Sequence, residues 1–181
     1  HRTLELLAEQ YPVLTFQGCE ADDIAAYITQ IRKLLGVEHI WLVSSDKDWD
    51  LLISKNVSRF SYVTRKETTL DTWSSMYKCP MEQYLDYKCL VGDVGDSIPG
   101  VDGVGPVKAV SLLNTYGSIY EIIAALPITS KYVYINNLNK FGAENLERNL
   151  KLMDLPTYCK EALGDNVVTI KQTLQEYVSR N

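Results

Sequence analysis

Residues 92–109 read GDVGDSIPGVDGVGPVKA, in which a turn with two aspartates on one side leads directly into a glycine turn at the start of a helix. A glycine turn in this position presents unpaired backbone N–H groups and the positive end of the helix dipole to an anion, which suits a nucleic-acid phosphate. A plain surface turn is the alternative. Because a helix-forming run, residues 81–91, comes just before, the segment predicts a helix-hairpin-helix motif that binds one DNA strand.

The hairpin supplies several candidate ligands. Lys108 lies in the first turn of the helix and adds a point charge for a phosphate. Backbone carbonyls of Val101 and Val104 predict a site for a monovalent cation, with K⁺ as the expected ion. The predicted DNA-binding residues are Gly100, Gly103, Val104, Gly105 and Lys108.

Acidic side chains form three tight clusters, each beside a signal that ends a strand or begins a helix. Acidic groups that converge repel one another and raise each other's pKa unless cations neutralise them, and hard divalent cations prefer carboxylate oxygens. Convergence of the clusters therefore predicts a metal site. The seven candidate ligands and catalytic residues are Glu20, Asp22 and Asp23, then Asp46 and Asp48, and finally Asp93 and Asp96.

Each cluster also has a purely structural interpretation. Acidic groups at residues 20–23 favour a helix N-terminus through capping and the helix dipole. Asp46 and Asp48 project the same way from an extended segment, whereas Asp50 is expected only to begin the next helix. Three unrelated acidic turns are thus the alternative to one metal site.

The first half of the chain has the pattern of an α/β fold. Residues 13–16 and 57–63 predict strands, and the apolar run 39–44 predicts a parallel strand covered on both faces. An apolar stripe after Glu20 predicts a helix that reaches Leu35 and ends at Gly36. The expected architecture is a mostly parallel sheet flanked by helices, with ligands at the carboxyl ends of the strands.

The second half has the pattern of a helical region. Prolines fall between the predicted helices, where they are tolerated. We expect two parts packed as one unit: residues 1–70, an α/β core, and residues 71–181, a helical region with the hairpin. Residues 2–10 predict the end of another helix. The helices predicted from residue 70 onward cover 70–77, 81–91, 107–116, 118–126, 131–138, 143–152 and 167–178.

Composition and charge exclude several classes of protein. No apolar run reaches the roughly 18 residues of a membrane span, and no leader opens the chain, which predicts a cytoplasmic protein without membrane contact. The net charge of −5 argues against nucleic acid at first. Setting aside the seven clustered acids leaves 16 of the 23 acidic residues against 18 basic ones, a slightly positive remainder.

Zinc sites and nucleophilic triads find no support. The four cysteines form no C-x-x-C pair, and neither His1 nor His39 has a second soft ligand nearby in the sequence. We expect reduced, mostly buried thiols and a His39 at the edge of a strand, with no Ser-His or Cys-His nucleophile.

Three motifs carry a family resemblance: Glu20-Ala21-Asp22-Asp23, Ser45-Asp46-Lys47-Asp48-Trp49-Asp50 and the glycine-rich run of residues 92–105. In this order and spacing they resemble the bacteriophage and bacterial 5′-nucleases of the flap endonuclease superfamily. The resemblance covers nearly the whole chain and is strongest in residues 16–53 and 85–116. Residues 148–158, RNLKLMDLPTY, also resemble the phage branch.

The resemblance implies a PIN-like 5′-nuclease core followed by a helix-hairpin-helix, and a metal-dependent 5′-3′ exonuclease and flap endonuclease. Two Mg²⁺ or Mn²⁺ ions would activate water and stabilise the leaving 3′ oxygen. The implied substrates are DNA with a free 5′ end or a 5′ flap and, in replication, primer RNA annealed to DNA. The implied ligands of the tighter site are Glu20, Asp22, Asp23 and Asp46, and those near the second ion are Asp48, Asp93 and Asp96.

The chain departs from the family pattern at its start. Family members begin with a strand that carries another aspartate, followed by a further aspartate and a basic helical arch, and His1 comes after all of these. We therefore expect a carboxyl-terminal portion whose site an amino-terminal segment completes. Val107 stands where many relatives carry a basic residue, which predicts weaker DNA binding. The alternatives are a non-catalytic DNA-binding fragment and a PIN-type ribonuclease, which is usually shorter and lacks the hairpin.

Overall fold

The computed structural model describes residues 2–180, and the chain divides into two compact units. The first unit holds the residues up to Leu70 together with those from Leu155 onward, and the second is Asp71–Asp154. Among residues 2–180, no helix is both long and apolar enough to cross a membrane.

Helices dominate the described chain. The α-helices are α1 (Arg2–Ala8), α2 (Ala21–Ile31), α3 (Leu70–Met76), α4 (Tyr84–Val91), α5 (Pro106–Tyr116), α6 (Ile119–Ala125), α7 (Val133–Met153), α8 (Leu155–Leu163) and α9 (Asn166–Arg180). Two 3₁₀ helices lie at Asp48–Leu52 and Met81–Gln83. The strands are β1 (Ile40–Val43), β2 (Val57–Ser61), β3 (Lys66–Thr68), β4 (Gly92–Asp93) and β5 (Ile98–Pro99).

The sheet of the first unit has the order β1-β2-β3. The predicted strands in residues 39–44 and 57–63 are confirmed, and they pair in parallel from Ile40 opposite Val57 onward. β3, which the sequence did not predict, pairs with β2 in antiparallel orientation after a tight turn in which Arg65 has a φ of 58°. With one parallel and one antiparallel pairing, the sheet of the described chain is mixed rather than mostly parallel.

Two further strand predictions are wrong. Residues 13–16 are extended but belong to no strand, because a strand requires a neighbouring strand to pair with and none of the described strands pairs with them. β1 is not covered on both faces: Leu42 is buried, whereas Trp41 and Val43 are 63% and 62% exposed. The apolar run of β1 thus has one face in the core.

The core of the first unit forms where α2 packs on β1. Ile24 and Tyr27 of α2 lie in this core with Leu42, as the apolar stripe predicted. α2 ends at Ile31 rather than Leu35, and turns continue to Gly36, whose φ of 69° suits a residue without Cβ.

Residues 155–181 join the first unit, so the predicted division into 1–70 and 71–181 needs correction. The cause is apolar packing: Cys159 and Leu163 of α8 and Ile170 of α9 are buried in the core that α2 contributes to. The sequence did not predict α8, since Pro156 was expected to separate helices. Pro156 instead occupies the first turn of α8, where its missing N–H breaks no hydrogen bond.

The second unit is helical, and its predicted helices are confirmed. Buried side chains such as Leu90, Leu113 and Leu138 share one core. The two helices predicted in residues 131–152 are joined as α7, and Gly142, with a φ of 76°, marks the kink between them. Ser118 caps α6 by accepting a hydrogen bond from the Glu121 N–H.

A two-stranded ribbon connects α4 to the hairpin, and it depends on two glycines. β4 pairs with β5 so closely that a Cβ on Gly92 would collide with the Gly100 backbone, and one on Gly100 would collide with the Val91 carbonyl. Asn149 of α7 is buried and donates to the carbonyls of Cys89 and Pro99, at 3.1 and 2.8 Å. The two glycines therefore allow the backbone at residues 91–92 to approach the backbone at residues 98–100.

Candidate metal centre and nucleic-acid interface

The structure brings four of the predicted ligands together in the first unit. Glu20 and Asp22 lie at the start of α2, and Asp46 and Asp48 follow the carboxyl end of β1. Burial raises the pKa of Asp22, and the negative charges of Asp46, Asp48 and Glu20 raise it further, against a hydrogen bond from Trp49. Glu20, Asp46 and Asp48 are thus near enough to Asp22 for their negative charges to repel its carboxylate.

Local hydrogen bonds shape the loop after β1. The Asp46 N–H donates to the Ser44 hydroxyl at 3.1 Å, and the Asp48 N–H donates to Asp46 Oδ1 at 2.9 Å. One Asp46 oxygen is therefore used to turn the chain into the 3₁₀ helix. Asp46 remains exposed and Asp48 is half-buried.

Asp23 has a structural contact of its own. It is the third residue of α2, and its carboxylate accepts the backbone N–H of Glu20, the residue that precedes the helix. This is one half of a capping box. Burial raises the pKa of Asp23, and the charge of Asp22 adds to the increase.

The third cluster lies in the second unit. Asp93 Oδ2 is 2.9 Å from Nζ of Lys88, whose side chain is only 7% exposed, and Asp93 Oδ1 accepts the Gly95 N–H. Burial alone would raise the pKa of Asp93, but the hydrogen bond and charge of Lys88 lower it below the ordinary value. Asp96 lies in the same turn and is exposed. Sequence reasoning missed Lys88, which lies in the predicted helix five residues before Asp93.

The donor set of the first unit fits a hard divalent cation. Its ligand atoms are carboxylate oxygens, which Mg²⁺, Mn²⁺ and Ca²⁺ prefer over softer ligands. Among residues 2–180, no lysine or arginine forms an ion pair with Glu20, Asp22 or Asp46. A bound cation would therefore relieve the repulsion between Asp22 and its acidic neighbours Glu20 and Asp46.

The glycine turn forms the predicted hairpin. Gly103 has a φ of 73°, Gly105 precedes α5, and Pro106 occupies the first helical position. The N–H groups of Lys108 and Ala109 both reach the Gly105 carbonyl at 3.0 Å. The turn thus ends in a helix N-terminus at the protein surface, as required for binding an anion.

The hairpin is anchored by two valines, Val101 and Val104. Their backbone carbonyls are the predicted ligands of a monovalent cation. Val101 and Val104 are both buried, and the Val104 N–H donates to the Val101 carbonyl at 2.9 Å. A carbonyl oxygen has two lone pairs, so this hydrogen bond leaves Val101 O with one for another ligand.

Lys108 is held over the hairpin by two contacts. Its ammonium donates to the Gly103 carbonyl at 2.8 Å and lies 4.8 Å from the centre of the Tyr134 ring. Neither partner is negatively charged, so the charge of Lys108 remains available to a phosphate. Asn137, also on α7, donates to the carbonyl and carboxylate of Asp102. Sequence reasoning missed Tyr134 and Asn137, because contacts between α7 and the hairpin leave no local pattern.

His39 has a serine neighbour that the sequence did not reveal. Its Nε2 is 3.0 Å from the Ser58 hydroxyl, which itself donates to Glu67 at 2.8 Å. Ser58 is only 1% exposed, and its proton points to Glu67 rather than to the imidazole. The group therefore lacks the geometry of a Ser-His nucleophile.

The cysteines are unpaired thiols, as predicted. Cys79, Cys89 and Cys159 are buried, and Cys19 is half-buried. Burial, with a smaller effect of nearby carboxylates, raises the pKa of Cys89 to about 12. Such a thiol stays protonated and unreactive.

Comparison with known proteins identifies the family. Residues 79–175, more than half of the chain, match the family described as "5′-3′ exonuclease, C-terminal SAM fold". The chain belongs to the 5′-3′ exonuclease family. This assignment agrees with the resemblance of its three motifs to the 5′-nucleases, and it favours that class over a PIN-type ribonuclease.

Relatives in this family come from phage and bacteria. The flap endonuclease of Escherichia phage T5 is 44% identical over 163 residues, which cover 88% of this chain and 55% of the relative. The chain spans about half the length of the curated relatives it matches.

Two solved structures are also similar. A phage T5 protein co-crystallised with metal ions matches with a TM-score of 0.89 and 38% identity, covering 98% of this chain and 66% of that one. The phage T5 flap endonuclease in a pseudo-enzyme–product complex with DNA and metal ions matches with a TM-score of 0.83 and 39% identity, covering 97% and 63%.

Replacing Lys108 by alanine should weaken DNA binding without changing metal binding. Each phosphate that a lysine neutralises releases counterions, so the slope of log K against log salt should fall by roughly one unit. Fluorescence anisotropy at several salt concentrations measures this slope. Lys140→Ala, which removes the same charge from an exposed position of α7, is the control. An unchanged slope and affinity for Lys108→Ala would remove Lys108 from the interface.

Proposed function

We propose that this chain is the metal-binding and DNA-binding portion of a structure-specific 5′-nuclease that acts as a 5′-3′ exonuclease and flap endonuclease. One observation carries the proposal: a chain of the 5′-3′ exonuclease family combines mutually repelling carboxylates with a glycine hairpin over which the charged Lys108 is held. The first suits a divalent cation and the second a phosphate backbone, which are the two requirements of metal-dependent phosphodiester hydrolysis.

The proposed cofactors are two Mg²⁺ or Mn²⁺ ions. When bound, they activate a water molecule and stabilise the charge on the leaving 3′ oxygen, so that no histidine base or covalent nucleophile is needed. Lys88 orients Asp93, and the hydrogen bond from Asp48 to Asp46 orients the loop of the first unit. The proposed ligands are Glu20, Asp22, Asp23, Asp46, Asp48, Asp93 and Asp96.

The proposed substrate is DNA with a free 5′ end or a 5′ flap, together with primer RNA annealed to DNA. Gly103, Gly105 and Lys108 would bind the phosphates of one strand, and Gly100 keeps the turn closed against Val91. We also propose a K⁺ ion at the hairpin, because the Val101 carbonyl keeps a lone pair for it. A cation there would attract the same phosphates.

An amino-terminal segment is proposed to complete the catalytic site. The support is the length of the relatives: the chain covers 55% of the phage T5 flap endonuclease. Such a segment, covalently joined or supplied as a second polypeptide, would add further ligands and the region that contacts the single-stranded flap. The chain without it should bind DNA and a divalent ion but cleave slowly.

Substrate preference tests the proposal. The chain is joined to the amino-terminal part of the phage T5 relative and given equal amounts of a labelled 5′-flap DNA and a labelled single-stranded RNA in Mg²⁺. We expect the flap to be cleaved at least tenfold faster. Faster cleavage of the single-stranded RNA would favour a PIN-type ribonuclease instead.

Millimolar Mg²⁺ should stabilise the chain against thermal unfolding. A ligand that binds only the folded state at 100 times its dissociation constant contributes about 2.7 kcal/mol. Asp46→Asn should reduce the gain, because it weakens ion binding and relieves repulsion in the metal-free protein. Glu161→Gln, which also replaces a carboxylate by its amide but at an exposed position of α8, should leave the stabilisation by Mg²⁺ intact. Unaltered melting curves in Mg²⁺ and Ca²⁺, with no heat of binding, would argue against the metal site.

A further inference from the structure

Trp49 makes a directed contact with one of the clustered carboxylates. Its indole Nε1–H donates to Asp22 Oδ1 at 2.7 Å, across 27 residues of sequence. An indole N–H can only donate a hydrogen bond, so Asp22 Oδ1 must act as the acceptor in this contact. The contact thus fixes the rotation of the carboxylate and leaves Oδ2 to meet another partner.

Trp49 is itself fixed by a buried ion pair on the next residue. Asp50 is fully buried and forms two parallel hydrogen bonds with Arg59 of β2, from Nε to Oδ1 at 2.5 Å and from Nη2 to Oδ2 at 2.8 Å. Bidentate pairs of this kind restrict the angle as well as the distance between two groups. The 3₁₀ helix that carries Asp48, Trp49 and Asp50 is therefore tied to the sheet.

Arg59 also fixes the start of the carboxylate loop. Its remaining terminal nitrogen, Nη1, donates to the Ser44 carbonyl at 3.0 Å. Ser44 follows β1, and its hydroxyl accepts the Asp46 N–H. One guanidinium group thus holds both ends of the segment from Ser44 to Asp50.

We infer that Trp49 is a positioning residue that uses its indole N–H to orient Asp22 for a divalent cation, with the Asp50–Arg59 pair as its anchor. This inference rests on the proposed metal site and adds a residue that acts through Asp22. Hydrogen bonds that orient a ligating carboxylate commonly change metal affinity by 10- to 100-fold when they are lost.

Packing alone would also retain a tryptophan at this position. The Trp49 ring lies against the core of the first unit. Packing requires the ring, whereas positioning requires the N–H group, so a substitution that keeps an aromatic ring and removes the donor separates the two.

The test compares Trp49→Phe with Trp73→Phe in the intact chain. Trp73 Nε1 donates to the Cys79 carbonyl at 2.8 Å, so both substitutions delete one indole hydrogen bond, but only Trp49 contacts a carboxylate of the proposed site. Calorimetric titration with Mg²⁺ should give a dissociation constant about tenfold higher for Trp49→Phe. Trp73→Phe should stay within twofold of the unsubstituted protein.

An NMR measurement on the unsubstituted protein covers the case in which Trp49→Phe does not fold. The three tryptophans give three indole N–H resonances. Addition of Mg²⁺ should shift the Trp49 resonance with the same dissociation constant as calorimetry and leave that of Trp73 in place. Two results would overturn the inference about Trp49 but not the proposed metal site. One is a Mg²⁺ affinity of Trp49→Phe within twofold of normal, and the other is a Trp49 resonance that saturating Mg²⁺ leaves unmoved. Absence of Mg²⁺ binding by the unsubstituted protein would overturn the proposed metal site as well.

Discussion

Replacement of Asp50 by alanine should destabilise the protein by about 3–5 kcal/mol, because it leaves the Arg59 guanidinium buried without its carboxylate. Asp50 is fully buried, and the Arg59 side chain is almost so. Salt screens a buried charge of this kind far less than an exposed one. Urea unfolding monitored by circular dichroism gives the change in free energy.

A double substitution provides the control for this result. Replacing both partners by apolar residues of similar size is often close to neutral, so Asp50→Leu with Arg59→Met should recover most of the lost stability. Mg²⁺ affinity should stay low in the double variant, since the anchor of Trp49 is gone. A loss below about 1 kcal/mol for Asp50→Ala would show that the pair contributes little to the fold.

Asp96→Asn should lower cleavage of a 5′-flap substrate by roughly 10²- to 10³-fold, with DNA affinity within twofold of normal. A ligand that acts on the transition state contributes several kcal/mol to the rate and little to ground-state binding. Asp96 is exposed, so the substitution should not disturb folding. Single-turnover rates in Mg²⁺ and affinities in Ca²⁺, both with the amino-terminal segment present, separate the two effects.

Asp93→Asn is expected to cost stability as well as rate. It removes the charged partner of Lys88, whose side chain is largely buried, so its effect mixes catalysis with folding. Equal losses of rate and of DNA affinity for Asp96→Asn would indicate that Asp96 contributes to substrate binding rather than to catalysis.

The elements that local patterns specify could be predicted from the sequence. Apolar residues at helical spacing place α2 and most helices of the second unit, because one helical face must be buried whatever it packs against. Gly103, Gly105 and Pro106 likewise mark the hairpin, because their backbone preferences are local. In contrast, α8 and α9 belong to the first unit because their apolar residues are buried in its core. No local sequence pattern shows which of the two cores a helix joins.

The sequence predicts candidate ligands, which stay predictions, but it does not predict the contacts that support them. Asp46 and Asp48 are predicted to project the same way from an extended segment, but the chain coils into a 3₁₀ helix at Asp48, and Asp50, expected only to begin a helix, turns inward to Arg59. The hydrogen bond from Trp49 to Asp22 joins two loops far apart in sequence. Such contacts follow from tertiary packing, so they appear only once the fold is known.

The most direct test of a metal-dependent 5′-nuclease is cleavage of a 5′-labelled flap DNA, with the amino-terminal part of the phage T5 relative supplied or withheld. With that segment and Mg²⁺, we predict rapid release of short labelled products, which EDTA abolishes. The 181-residue chain alone should bind the same DNA and cleave it at least a hundredfold more slowly. Cleavage that persists in EDTA, or no cleavage by the joined protein in Mg²⁺ or Mn²⁺ despite normal DNA binding, would contradict the proposed function.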